Sequence, residues 1–316
     1  MPLETNSPAS ATSDSIVLTP GRRQLWLRGS FPGGAGLKSL QFVPVYAIGF
    51  LLTLVVLWAV AQLLLPPEAP RLWGRLLAEG IFAIAAIAPA LLIARLEDRS
   101  FGTYGLPQRA AFGKRFWTGA AWGLLSLTTL LGILRIAGAI SFAGITLHGT
   151  RIGKFGVFWA LFFLLVAFYE EFAFRGYLLF AFSGAIGFWP AALLSSLIFG
   201  YVHHRNPGEN WVGALGAAAI GLFFAFTLRR TGNLWFAVGM HSVWDWSETF
   251  LYSVPDSGFV PPGHLLKTSL HGSSWLTGGS VGPEASILLF VLVGVFSILL
   301  HRLYPQAKYG IPDASD

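Results

Sequence analysis

The sequence predicts an all-α fold, a polytopic bundle of about eight transmembrane helices with both termini in the cytoplasm. Two observations predict this class at once. Only 11% of the 316 residues are charged while 54% are hydrophobic, whereas soluble domains carry about 25% charged residues. The mean hydropathy is +0.62. A soluble globular domain, a disordered chain, a coiled coil and a collagen-like fibre are therefore excluded.

The chain has no cysteine and a formal net charge of +6. The first fact excludes disulfides, thiolate metal sites and cysteine nucleophiles. The second is expected of a membrane protein, because surplus Lys and Arg lie in cytoplasmic loops beside anionic lipid. The lipid bilayer of a cell membrane is thus a predicted partner, and no nucleic acid is.

The N-terminal segment 1–41 is predicted to be a disordered, basic tail. Ser, Thr and Pro dominate it up to Thr19, without apolar periodicity, and Arg22, Arg23, Arg28 and Lys38 follow. No signal peptide is predicted, because no short apolar core with a small-residue cleavage site is present. Residues 42–304 form the predicted transmembrane domain, and residues 305–316 a C-terminal tail.

Eight apolar segments approach the ~20 residues that cross a bilayer as a helix. They are Phe42–Leu65, Leu76–Ile93, Phe116–Ala137, Phe155–Ala181, Phe188–His203, Trp211–Leu228, Leu234–Tyr252 and Ala285–Leu303. The fifth is short, so seven spans are the alternative. The long loop 253–283 is rich in Gly and Pro. We expect it outside the hydrocarbon, because within the hydrocarbon an irregular loop leaves its backbone N–H and C=O groups without hydrogen-bond partners.

The distribution of Lys and Arg sets the predicted orientation. With a cytoplasmic N-terminus, the cytoplasmic side carries 13 of these residues, including Arg229 and Arg230 as loop anchors, and the opposite side carries 6. The positive-inside rule therefore favours cytoplasmic termini.

Ionisable side chains within spans are costly and are candidates for function. Here they gather in the fourth, fifth and seventh spans, as Glu170, Glu171, Arg175, His203, His241 and Asp245. Glu248, one turn beyond Asp245, is interpreted as a polar cavity-lining group without a chemical role. Glu79, near a span end, is expected to extend toward the interface.

Helical spacing assigns faces to these residues. Glu171 and Arg175 are four apart, with the acid first, which favours a structural ion pair. Glu170 points about 100° away from Glu171, so it stays unpaired and suits a general base. His241 and Asp245 are also four apart and face one cavity.

Three motifs carry a resemblance to a known family. Glu-Glu-x-x-x-Arg (Glu170 to Arg175), Phe-x-x-x-His (Phe199 to His203) and His-x-x-x-Asp (His241 to Asp245) occur in that order. Together they resemble the CAAX-protease and bacteriocin-processing family of intramembrane endopeptidases, which includes the type II CAAX prenyl endopeptidase. The resemblance covers roughly 155–252. Asp245 departs from it, since many members have Asn there.

The resemblance implies hydrolysis of a peptide bond in a peptide or protein substrate within or at the membrane. In one scheme Glu170 and His203 activate a water, and His241 and Asp245 stabilise the oxyanion. In the other, Glu170, His203 and His241 bind a catalytic zinc. The sequence leaves open which scheme applies, and whether Glu170 or Glu171 is the base.

Two other functions compete with proteolysis. A catalytically silent member would act as an immunity or scaffold protein, and a proton-coupled transporter would use the same residues as a relay. One difficulty concerns depth: counted along straight spans, His203 and His241 lie at different levels of the membrane.

Overall fold

The computed structural model describes residues 39–64, 71–206 and 208–310, and it is mostly helical. Five helical segments there are long and apolar enough to cross a membrane. They are Val43–Leu64, Leu72–Leu96, Lys114–Ile136, Thr150–Ile186 and Trp211–Thr231, and Phe188–His203 and Ile287–Leu303 are shorter apolar helices. The predicted all-α membrane bundle is confirmed. The side of the membrane on which each terminus lies remains a prediction.

Ten α-helices and two strands form this part of the chain. The helices are α1 (Val43–Leu64), α2 (Arg71–Leu96), α3 (Lys114–Ile136), α4 (Thr150–Arg175), α5 (Tyr177–Ile186), α6 (Phe188–His203), α7 (Trp211–Thr231), α8 (Trp235–Trp246), α9 (Ser274–Thr277) and α10 (Ile287–Leu303). The strands are β1 (Ile140–Ile145) and β2 (Leu266–Leu270).

The predicted fourth span is two helices, separated at Gly176. This residue ends α4 with an irregular backbone (φ −88°, ψ −119°). A Cβ placed there would lie 2.4 Å from the carbonyl oxygen of Phe172, so the close turn requires glycine. Apolar composition continues through the break, and for that reason hydropathy does not reveal it. The ten-residue α5 then packs against α6.

The predicted seventh span, Leu234–Tyr252, is helical over residues 235–252 but changes its helix type within this range. Helix α8 has 12 residues and is followed by a π-helical turn, Ser247–Tyr252. It packs closely against α3, where a Cβ on Gly119 or Gly123 would lie 2.0 Å from Phe236 O or 2.3 Å from Met240 O. Small residues four apart let two helix backbones approach in a membrane. This contact fixes α8 and hence His241.

The connections outside the long helices contain a small sheet that the sequence analysis does not predict. Strand β1 pairs antiparallel with β2, with Ile140 opposite Leu270 and an irregularity between Phe142 and Ile145. The loop 253–283 is therefore partly ordered by β2 and α9. A non-local pairing of such short segments leaves no periodic signal along the chain.

Both predicted tails extend too far into folded structure. Ser39 accepts a hydrogen bond on its carbonyl from the Tyr177 hydroxyl at 2.7 Å, so the folded domain begins before residue 42. At the other end Tyr309 is buried and donates to Thr103 O at 3.0 Å. Residues 1–38 and 311–316 of the predicted tails lie outside the described residues.

Arg229 and Arg230 are not exposed loop anchors, as the charge count predicts them to be. They lie in the last turn of α7 and are fully buried. The Arg229 guanidinium donates to the carbonyl of Tyr309, and that of Arg230 donates to the carbonyl of Pro305. Buried guanidinium groups need such partners, and the returning C-terminal segment supplies them.

Candidate active site

Four of the six residues singled out in the sequence line two adjoining cavities, and the other two, Glu171 and Arg175, are fully buried and line neither. The larger encloses about 1030 Å³ of empty space, counted together with open solvent, and is lined by Glu170, His203, His241 and Asp245 among others. The smaller, of about 590 Å³ counted in the same way, shares the two histidines and Asp245 and adds apolar walls, including Phe199. Helices α4, α6 and α8 therefore bring their polar residues to one place.

Glu171 and Arg175 form a buried ion pair on α4. Arg175 Nη1 lies 3.4 Å from Glu171 Oε1, and both side chains are fully buried. The guanidinium also lies over the Phe199 ring, 4.2 Å from its centroid. Gly221 of α7 leaves room for it, since a Cβ there would lie 2.2 Å from Arg175 Nη2. The pair fixes the end of α4.

His241 of α8 is held between three carboxyl groups. Its Nδ1 lies 3.0 Å from Glu171 Oε1, within hydrogen-bond distance. Its Nε2 lies 3.3 Å from Asp245 Oδ2 and 3.7 Å from Glu170 Oε2. The Phe224 ring stacks on the imidazole at 5.3 Å. Because Glu171 contacts both Arg175 and His241, it links α4 to α8.

His203 of α6 faces the same glutamate from another side. Its Nδ1 lies 3.0 Å from the carbonyl oxygen of Phe199, which only accepts, so Nδ1 carries the proton of this bond. Its Nε2 is then free to accept and lies 4.0 Å from Glu170 Oε2. The backbone thus sets the tautomer of His203.

Glu170 has the geometry of a base that acts through a water. Its Oε2 is buried and has no hydrogen-bond partner among the described residues. The distances of 3.7 and 4.0 Å to the two imidazoles are too long for direct hydrogen bonds. A water in the adjoining cavity can bridge groups at this separation.

The depth difficulty raised by straight spans does not arise in the folded chain. One oxygen of Glu170 lies within 4.0 Å of both imidazoles. Linear counting assumes that every apolar segment is one straight crossing, whereas the fourth segment breaks at Gly176.

The donor chemistry of Glu170, His203 and His241 suits zinc, because each imidazole turns Nε2 to the cavity while its Nδ1 is hydrogen-bonded. The spacing is wider than a zinc site requires. Ligands ~2.0–2.1 Å from one zinc lie within about 4.2 Å of one another. Within the described ranges, these three do not form a group whose ligand atoms all lie within 4.8 Å.

The sequence analysis missed several polar residues in the wall of the larger cavity. They are Arg75, Glu79, Asn206, Asp256, Ser257 and Glu284. Glu79 could have been found from the sequence, because an acidic residue within an apolar segment is a candidate for function. We expected its side chain to extend to the membrane interface instead. The last three lie in or after the loop 253–283, where polar residues are ordinary and nothing marks them.

Comparison with protein families gives one match. The family model described as "Type II CAAX prenyl endopeptidase Rce1-like" matches residues 152–247. The resemblance drawn from the motifs is confirmed. The matched segment runs from α4 to the first residue of the π-helical turn. It contains all six candidate site residues, Glu170 among them. Comparison with curated proteins and with solved structures gives no match. The likeness supports a CAAX-type intramembrane endopeptidase, hence a protease, as the general class.

Proposed function

We propose that the protein is an intramembrane endopeptidase of a cell membrane that hydrolyses a peptide bond in a membrane-delivered or lipidated substrate. The observation that carries the proposal is the position of Glu170. One buried oxygen of Glu170, without a hydrogen-bond partner among the described residues, lies 4.0 and 3.7 Å from the Nε2 atoms of His203 and His241, and all three residues line the larger cavity. A hydrolytic water needs such a base and such a space.

In the proposed first step, Glu170 removes a proton from a water that His203 orients through Nε2. The oxygen of this water attacks the peptide carbonyl carbon, and the carbonyl π electrons move to its oxygen. Collapse of the tetrahedral intermediate breaks the C–N bond, and the proton held by Glu170 passes to the leaving amine. This exchange of roles returns the carboxylate to its starting form.

The developing oxyanion requires hydrogen-bond donors at the opposite wall. His241 Nε2 faces the cavity, while Nδ1 is fixed by Glu171 at 3.0 Å. Asp245, at 3.3 Å from Nε2, either donates when protonated or holds the imidazolium when ionised. Donors fixed before the reaction give the largest electrostatic benefit.

Glu171 and Arg175 act as positioning residues in this scheme. Their ion pair is fully buried, and Glu171 Oε1 also contacts His241 Nδ1. The pair therefore sets the orientation of His241 without touching the substrate. Since a carboxylate that already accepts from a guanidinium and from an imidazole N–H is a weak base, Glu170 is the better candidate for the base.

A zinc-dependent alternative uses the same residues. Glu170, His203 and His241 would hold the ion, which would supply Lewis acidity and lower the pKa of bound water. The three side chains would have to move closer together than they are in the structure.

Cleavage of a membrane-delivered peptide reporter by the purified full chain tests the proposal. We expect Glu170→Gln and His203→Ala each to lower the rate at least ~100-fold without unfolding the protein, because the first removes the base and the second removes the group that orients the water. Asp98→Asn, the same carboxyl-to-amide change at an exposed residue, should leave the rate unchanged.

Three outcomes would redirect the assignment. Full activity in Glu170→Gln would remove Glu170 from the catalytic role. Stoichiometric zinc in the active protein, lost in His203→Ala, would replace the water-bridged scheme by the metal scheme. A folded wild-type protein that binds reporter peptides and never cleaves them would favour the silent immunity or scaffold alternative.

A further inference from the structure

A second group of carboxyl groups lies beside the candidate active site. Glu248 is in the π-helical turn after α8, Asp256 in the following loop and Glu284 in the short 3₁₀ turn before α10. One ligand oxygen from each lies within 4.8 Å of the others. Among the described residues, no other group of three or more His, Asp or Glu side chains has its potential ligand atoms this close together.

No positively charged side chain among the described residues forms an ion pair with this cluster. Glu248 is fully buried, and neither of its carboxyl oxygens has a hydrogen-bond partner among the described residues. The Trp244 indole interacts with this carboxyl but does not reach hydrogen-bond geometry.

The other two carboxyl groups are each held by one hydroxyl group. Thr249 Oγ1 donates to Asp256 Oδ2 at 3.1 Å, and Ser257 Oγ donates to Glu284 Oε2 at 2.7 Å. These bonds orient the two groups but supply no positive charge. These two residues are half-buried, whereas Glu248 is fully buried, and a buried carboxylate without a charged partner is strongly unfavourable.

Protonation does not explain the arrangement of Glu248. A protonated carboxyl group is a donor and needs an acceptor, yet neither Glu248 oxygen is hydrogen-bonded to Asp256, Glu284 or any other described residue. A cation between the three groups would satisfy their oxygens and offset their charge together. The cluster has only oxygen ligands, which hard divalent ions prefer.

We propose that Glu248, Asp256 and Glu284 bind one hard divalent cation, Ca²⁺ in first place. Two oxygens on opposite sides of a Ca²⁺, each at about 2.3–2.6 Å, lie roughly 4.6–5.2 Å apart, and the separations in the cluster stay below 4.8 Å. Mg²⁺ is the alternative ion of the same chemistry, although it usually keeps several waters and one or two carboxylates.

The bound ion would fasten the loop 253–283 to the end of α8. The loop already packs tightly there: Gly282 has φ +111°, and a Cβ on it would lie 1.9 Å from Pro255 O and 3.3 Å from Glu248 Oε1. Glu284 also lines both cavities next to His241 and Asp245. The site is distinct from the zinc alternative and does not rest on the proposed protease activity.

Binding of Ca²⁺ to the purified full chain, stripped with chelator in detergent, tests the proposal without an activity assay. Tb³⁺ serves as the luminescent probe for the Ca²⁺ site, excited through Trp244. We expect saturable Tb³⁺ luminescence that Ca²⁺ displaces, and a rise in melting temperature of at least about 3 °C at 100 times the Kd. Glu248→Gln and Glu284→Gln should lose both signals, and Asp98→Asn should keep them.

The outcomes separate the possibilities. The absence of saturable binding to the wild-type chain would overturn the proposal, and so would equal binding by both Gln variants. Binding of Zn²⁺ alone, lost in His203→Ala but kept in Glu248→Gln, would place the metal at the other site and also overturn it. Preferential binding of Mg²⁺ that both Gln variants lose would support the site and change the ion. If one variant fails to fold, the other decides.

Discussion

Two groups of buried and half-buried carboxyl groups lie side by side in this protein and are balanced in different ways. In the candidate active site, Glu171 contacts Arg175 and His241, at 3.4 and 3.0 Å. In the acid cluster, Glu248 has no hydrogen-bond partner in the described part of the chain, and its two neighbours are held by hydroxyl groups. The first group carries its own cations, and the second requires one from outside.

The positions of the two groups in the fold explain this difference. The candidate active-site residues lie on helices α4, α6 and α8, where packing holds them in place. The acid cluster joins a π-helical turn, a loop and a 3₁₀ turn. Hydrogen bonds already connect these segments, and the proposed metal ion would link the three carboxyl groups directly.

The largest effect that tests this comparison is expected from Glu171→Ala. Removal of the carboxylate leaves Arg175 buried and uncompensated, which typically costs about 3–5 kcal/mol of unfolding free energy. Cleavage should fall as well, because His241 loses the partner of Nδ1. Thermal or denaturant unfolding in detergent, together with reporter cleavage, measures both effects.

Glu171→Gln is the matched control for the charge alone, since it keeps the shape and one acceptor oxygen. It should retain part of the lost stability. A melting temperature unchanged in both variants would show that the Glu171–Arg175 pair does not support the fold.

The glutamate-to-glutamine change at Glu248 should alter the stability less than it does at Glu171. In the presence of chelator it should raise the stability instead of lowering it. Glu248→Gln removes one of three uncompensated like charges, so the metal-free protein should gain up to about 1 kcal/mol of stability. Addition of Ca²⁺ should reverse the order, because only the wild-type chain would bind the ion. Melting curves of both proteins, recorded with chelator and with Ca²⁺, test this reversal. The same protein having the higher melting temperature under both conditions would contradict it.

The smallest effect is expected from Asp245→Asn, at the boundary between the two groups. Asp245 lies 3.3 Å from His241 Nε2 and lines both cavities together with Glu284. Asparagine keeps a donor and an acceptor at this position, so reporter cleavage should stay within about threefold of the wild-type rate.

Asp245→Ala is the comparison for this substitution, and it should lower cleavage ~100-fold through the loss of an oxyanion-side group. Equal rates for the Asn and Ala variants would show that Asp245 has no part in stabilising the oxyanion.

Much of the architecture was predictable because it follows from local composition. The low charge and the apolar segments predicted a helical membrane bundle, since a bilayer imposes one length and one polarity on every crossing. The spacing of Glu171 and Arg175 predicted their contact because residues four apart share a helix face. The three motifs were sufficient to reveal the resemblance to the family whose model matches residues 152–247. Such signals are contained in short stretches of sequence.

The tertiary structure decided what depends on distant residues. It brought His203 and His241 to one oxygen of Glu170, broke the fourth segment at Gly176 and buried Arg229 against the C-terminal segment. It also assembled Glu248, Asp256 and Glu284 from positions up to 36 apart (284 − 248). Periodicity shows which face of a helix is apolar, but which faces meet depends on the packing of the whole chain.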